Sequence, residues 1–164
     1  MGISFNAEEI LGIAVQIERN GQKFYKQAAS NIANEEHKKL LEELAAMEVA
    51  HEKYFSGMLN SLSPDERGTK DYDLDNEAAG YLKNVADGNV FDYRKDPTEL
   101  LKGIESIDDI LRTAIGMEKE SVVFYSGIRQ MVPEHMGSER IDEIIKEELS
   151  HISLLSRELI AVGK

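Results

Sequence analysis

One pattern, Glu-x-x-His, occurs twice, one hundred residues apart: EVAH at 48–51 and ELSH at 148–151. Both copies sit in segments whose apolar residues recur at steps of three and four, the mark of a helix with one buried face. The first stripe reads Leu41, Leu44, Glu48, His51, Phe55, Met58, Leu62. The second reads Ile141, Ile144, Glu148, His151, Leu155 and, drifting by one, Leu159. Residues three apart share a helix face. In both copies the acid and the imidazole lie on the face that turns inward.

The repetition extends beyond these tetrapeptides. AVQIERNGQKFY (14–25) aligns with AIGMEKESVVFY (114–125), and EELAAMEVAH (42–51) with DEIIKEELSH (142–151), at the same offset and without a gap. The upstream helix of each copy has its own stripe: Leu11, Ala14, Glu18, Gly21, Tyr25, Ala28 in the first, and Leu111, Ala114, Glu118, Ser121, Tyr125, Ile128 in the second. Duplication of a helical hairpin produces such a pattern. Two copies packed face to face have an approximate twofold axis, and groups near it come in pairs.

Helix boundaries follow from capping chemistry. Asn6 precedes Glu9 at capping-box spacing, Ser106 precedes Asp109 likewise, Pro133 lies beyond the third segment, and Gly137 precedes the fourth. Short joints make each pair of helices an antiparallel hairpin. The expected architecture is all-α: a four-helix bundle of two repeated hairpins with a long crossover between helices two and three. As a single domain over 1–164, it places hairpin one at about 6–62, the crossover at 63–105 and hairpin two at about 106–162. Within the crossover, a short helix is expected near Asn76 to Asp87, stopped by Gly88, and a further turn opened by Pro97.

Composition narrows the chemistry. The chain has no cysteine, so thiolate zinc sites, iron–sulfur clusters and disulfides are excluded. Any metal must be held by oxygen and nitrogen. A net charge of −12 disfavours nucleic acid and anionic membranes as partners. No run of eighteen apolar residues is present to span a bilayer. The first residues, MGISFNAEEI, lack a basic region followed by an apolar run. A cytoplasmic protein is the expectation.

Glu18, Glu48, His51, Glu118, Glu148 and His151 thus fall on inward faces at mid-bundle height. Burying one bare carboxylate costs several kcal/mol, and four together also repel one another. Two divalent cations would neutralise four carboxylates, with the imidazoles as neutral donors. Mixed oxygen and nitrogen ligation suits iron or manganese, with a mixed pair or zinc as alternatives.

At this point the chain resembles the ferritin-like di-iron carboxylate proteins, and among them the rubrerythrins: one Glu from each of two helices and Glu-x-x-His from the other two. The resemblance covers both hairpins. It implies that Glu48 and Glu148 bridge two iron ions, that Glu18 and His51 complete one ion's shell, and that Glu118 and His151 complete the other's. It further implies reduction of hydrogen peroxide or dioxygen with electrons from an external donor protein or small reductant, and a homodimer. A ferroxidase or iron-handling role, a non-enzymatic zinc or vestigial-site bundle, and an oxygenase acting on an organic substrate are the alternatives. Rubrerythrins carry a further carboxylate one turn after the third-helix Glu; Ser121 stands there, with Gly21 at the symmetric place, leaving a plain six-residue set.

Tyr25 and Tyr125, one heptad after Glu18 and Glu118, are read first as core packing and second as hydrogen-bond donors beside the metals. His37 and His135 fall outside the stripes. Glu52, Glu120 and Glu147 neighbour the six but point off the seam. The acidic run DYDLDNE (71–77) is read as a solvated loop.

Overall fold

A computed structural model describes residues 3–72, 75–104 and 106–163. Four long helices form the bundle: α1 (Ala7–Asn31), α2 (Glu35–Ser61), α5 (Ile107–Met131) and α6 (Ser138–Val162). Two short helices, α3 (Pro64–Arg67) and α4 (Glu77–Ala86), and a 3-10 turn at Pro97–Leu101 lie in the crossover. The caps form where the side chains predict them. Asn6 Oδ1 accepts from Glu9 N at 2.6 Å, Asn34 Oδ1 from Glu36 N and His37 N, and Ser106 Oγ from Asp109 N. Each satisfies amide groups that have no partner inside the helix.

A short ribbon joins the all-α bundle. Strand β1 (Ile3–Asn6) pairs antiparallel with β2 (Thr69–Tyr72), Ile3 opposite Tyr72 and Asn6 opposite Thr69. The sequence did not predict this pairing, because four-residue strands are too short to display a period. Part of the acidic run at 71–77 lies outside the described residues.

The joint before α6 depends on one glycine. Gly137 has φ +94°, a conformation that disfavours a side chain, and its carbonyl accepts from the Tyr54 hydroxyl at 2.6 Å. A Cβ there would stand 2.8 Å from that same hydroxyl.

The apolar core comes in two parts. One holds Leu11 and Ala14 of α1, Phe55 and Met58 of α2, Phe124 and Ile128 of α5, and Ile141 and Ile144 of α6. The other holds Phe24 and Ala28 of α1, Leu41 and Leu44 of α2, Leu111 and Ala114 of α5, and Leu155 of α6. The N-terminal half of α1 therefore packs with the C-terminal half of α5, so these two helices run antiparallel. α2 and α5 run the same way, and only a connection along the bundle's length can join them. The crossover does this: Leu82 and Val85 of α4 pack into the first part and Leu101 into the second. Between the two parts lies a layer of buried polar side chains.

Candidate metal centre

That layer is made of Glu18, Glu48, His51, Glu118, Glu148 and His151, none more than 4 % exposed. Each lies near the middle of a long helix, where apolar neighbours a turn above and below bind the helices together. The His51 and His151 rings stack with centroids 6.0 Å apart. Ligand atoms of Glu18, Glu48, His51 and Glu148 lie within 4.8 Å of one another. The same holds for Glu48, Glu118, Glu148 and His151. Glu48 and Glu148 belong to both groups.

Several of the converging atoms have no hydrogen bond. His51 Nδ1 lies 3.0 Å from Glu148 Oε1, and His151 Nδ1 lies 2.9 Å from Glu148 Oε2. Neither contact is directed as a hydrogen bond. Glu18 Oε2, Glu48 Oε1, both Glu148 oxygens, His51 Nδ1 and both His151 nitrogens are buried and unpartnered. Polar atoms left so inside a fold cost on the order of 1–3 kcal/mol each. A pair of divalent cations would satisfy the carboxylate oxygens and one nitrogen of each imidazole, and would cancel the carboxylate charge. The donor set therefore fits a dinuclear site of iron, manganese or zinc type.

Tyr25 and Tyr125 lie beside this cluster, and their bonds cross between the hairpins. The Tyr25 hydroxyl donates to Glu118 Oε1, and the Tyr125 hydroxyl donates to Glu18 Oε1. Burial, then the nearby carboxylates, push both phenols well above their ordinary 10, so both keep their protons. Glu147 also reaches the cluster, although its position in the helix sets it off the seam. Its Oε2 lies 2.6 Å from His51 Nε2, and Arg140 holds its other oxygen at 3.0 Å. Its place beside Glu148, seven residues after an arginine, is the signal that could have identified it. Among the described residues His151 Nε2 has no such partner, and the residue equivalent to Glu147 is Met47. Glu52 binds Arg19 and Gln22 instead; Glu120 lies at the edge of the α1–α5 face; His37 stands 3.8 Å from Glu158, and His135 is exposed.

Gly21 shows how closely the helices approach. A Cβ there would stand 2.9 Å from Glu48 Oε2. In Gly21→Ala the flexible carboxylate would give way, so the fold should survive. Affinity for divalent metal should fall on the order of tenfold to a hundredfold, the usual loss when a ligand's support is disturbed. Isothermal titration with Mn(II) measures this; an unchanged affinity would show that Glu48 does not need its present position.

Without metal the cluster stores protons. Burial pushes His51 and His151 down, but the close carboxylates outweigh it and raise them to about 11 and about 9. Burial and, next, neighbouring carboxylate charge raise Glu48. Burial raises Glu118 to about 7 against the pull of His151. Burial also acts to raise Glu148, but the two imidazoles prevail and hold it at about 2. For groups raised on folding, the stability they contribute is complete below their unfolded values and is lost as pH rises through the folded ones. For Glu118 that window runs from 4.5 to about 7, and for His151 from 6.5 to about 9. The metal-free protein should therefore lose on the order of a few kcal/mol between pH 5 and pH 9. Metal loading at pH 7 should release at least two protons, one from each imidazole. Urea unfolding across pH and calorimetry in buffers of different ionisation enthalpy check the two statements.

Fold and site together define a ferritin-like helical bundle with a buried carboxylate–histidine cluster suited to two metal ions. The chain belongs to the rubrerythrin family, whose sequence profile matches residues 9–159. No curated protein matches it closely. A solved structure from Thermotoga maritima, proposed to be a ferritin-like diiron-carboxylate protein, superposes with a TM-score of 0.73. The two chains are 21 % identical over 96 % of each. Among the described residues no helix is long and apolar enough to cross a membrane.

Proposed function

We infer that the protein is a non-haem di-iron redox protein that reduces hydrogen peroxide or dioxygen with electrons from an external donor. The observation that carries this reading is the convergence of four buried carboxylates and two imidazoles whose facing atoms lack hydrogen bonds. Glu18, His51, Glu48 and Glu148 would hold one ion, and Glu118, His151, Glu48 and Glu148 the other, with Glu48 and Glu148 shared. When bound, two ferrous ions supply the electron pair that peroxide reduction consumes. Tyr25 and Tyr125 hold protons at Glu118 and Glu18 and orient those carboxylates. The apolar layers above and below close the centre along the bundle axis. Glu147 fixes the orientation of the His51 ring, as a carboxylate behind a metal-binding imidazole does.

The test is an anaerobic titration of metal-free protein with Fe(II), followed by one equivalent of hydrogen peroxide. Saturation at two irons per chain and a new near-ultraviolet absorption from an oxidised ferric pair are expected. Uptake of many irons per chain would favour iron handling instead. Two-ion uptake without oxidation would favour a zinc or structural site.

A further inference from the structure

A cavity of about 320 Å³ opens between α1 and α5, beneath the crossover, and ends at the buried cluster. Its floor is polar: Glu48, Glu118, Tyr25 and Ser121, with Gly21 leaving room above Glu48. Its walls are mostly apolar, with Ile17 and Met117 from the two helices and Phe91, Pro97 and Leu100 from the crossover, and charged side chains such as Asp92, Asp96 and Glu99 also border it. Ile17 and Met117 are equivalent in the repeat, as are Gly21 and Ser121. The cavity therefore lies on the approximate twofold axis of the bundle. The crossover breaks that symmetry and supplies the outer wall. It is fastened to α1 by Asn20 Nδ2, which donates to the Tyr93 carbonyl at 2.7 Å, and by the Lys23–Asp96 ion pair at 2.7 Å. Leu100, 49 % exposed, stands at the mouth.

We propose that this cavity binds the organic group of a small alkyl or aryl hydroperoxide and presents its hydroperoxy end to Glu48 and Glu118. The proposal rests on the redox reading above and specifies its substrate class. One water occupies about 30 Å³ of liquid, so the cavity has room for about ten, far more than hydrogen peroxide needs. Apolar walls give those waters few hydrogen bonds, and an apolar body gains by replacing them. The floor chooses the orientation. Carboxylates, a phenol and a hydroxyl would leave a hydrocarbon end without suitable contacts, whereas they suit a neutral polar end. Lys95 is the one cation lining the cavity among the described residues, and it is exposed, so nothing at the floor would pair a ligand carboxylate. A hydroperoxide, R–O–O–H, is neutral, polar at one end and apolar at the other. In its reduction the O–O bond breaks and two electrons and two protons are taken up, giving R–OH and water. Ferrous ions held by the six residues would supply the two electrons, one each, and water would supply the protons.

Cumyl alcohol, the redox-inert product of cumene hydroperoxide, is the binding probe. Added to zinc-loaded protein, it should shift the methyl NMR signals of Ile17, Met117 and Leu100 saturably, and Leu100→Trp should weaken binding at least tenfold while leaving circular dichroism and metal stoichiometry intact. Iron-loaded protein should then reduce cumene hydroperoxide at least tenfold faster than hydrogen peroxide, with Leu100→Trp lowering that ratio. Absence of a saturable shift would overturn the proposal. Oxidation by hydrogen peroxide alone would also overturn it, and would leave the redox reading standing. Oxidation by neither peroxide, with two irons bound, would overturn both. Hydroxylation of the added alcohol under dioxygen would replace a hydroperoxide site with an oxygenase site.

Discussion

Glu148→Ala is expected to abolish loading of two divalent ions per chain. Glu148 is fully buried, and its two oxygens stand 2.9 and 3.0 Å from the Nδ1 atoms of His151 and His51. The other carboxylates near those nitrogens stand at 3.5 to 3.7 Å. Among the described residues, no other side chain approaches both imidazoles so closely. Disturbing a residue that merely supports a metal ligand costs about tenfold to a hundredfold in affinity. Removing a group shared by both ion positions should exceed that, and stoichiometry should drop from two ions to at most one. Equilibrium dialysis with Mn(II) and elemental analysis provide the measurement. The same substitution should destabilise the metal-free protein by about 3–5 kcal/mol, because it leaves the buried His151 imidazolium without its nearest counter-charge and His51 with Glu147 as its one remaining close partner. Glu148→Gln keeps the volume and removes the charge. If it also fails to load two ions while remaining folded, the loss belongs to coordination and not to collapse of the core. Full two-ion loading of Glu148→Ala would show that Glu148 is not shared.

Loading two ions is expected to raise the melting temperature by about 8–16 °C, and a chelator should reverse the gain. A ligand present at a thousandfold over its Kd stabilises the native state by about 4 kcal/mol. For a chain of this size one kcal/mol moves the midpoint by about 2–4 °C. The molecular origin is the set of buried, unpartnered carboxylate oxygens and the Nδ1 atoms of His51 and His151 that converge on the centre, which two cations would satisfy together. The increment should be larger at pH 8 than at pH 6, since more of the protons that metal must displace have already left. Calorimetry with and without Mn(II) at both pH values measures it. A shift below about 2 °C at saturating metal would mean that the cluster is stable as an ion-pair network, and the metal centre reading would fall.

The parts of this molecule that were legible in its sequence are those governed by helical geometry. A period of 3.6 decides which residues share a face, so the stripes through Glu48, His51, Glu148 and His151 led directly to the buried layer. Caps at Asn6 and Ser106 need only local chemistry, and their positions agree with the helix ends. What was not legible depends on how separate helices rotate and pass one another. Glu147 is one residue off the seam of α6, yet the facing turn of α2 brings His51 Nε2 to it. Tyr25 follows Glu18 by one heptad in the sequence, yet its hydroxyl goes to Glu118. The apolar cavity needs the path of residues 91–100, which carries no periodic pattern. The β1–β2 ribbon joins segments more than sixty residues apart through strands of four residues each.

The exchanged tyrosine bonds mean that neither hairpin is a miniature of the whole. Each supplies the proton donor for a carboxylate that belongs to the other. Separated at the crossover, each half would carry a carboxylate missing its donor and a phenol missing its acceptor, together with an open apolar face. Two copies of either hairpin, facing each other, could in principle restore the same reciprocal arrangement. The crossover is the segment that stands outside this symmetry, and it covers one face of the centre that the two hairpins close together.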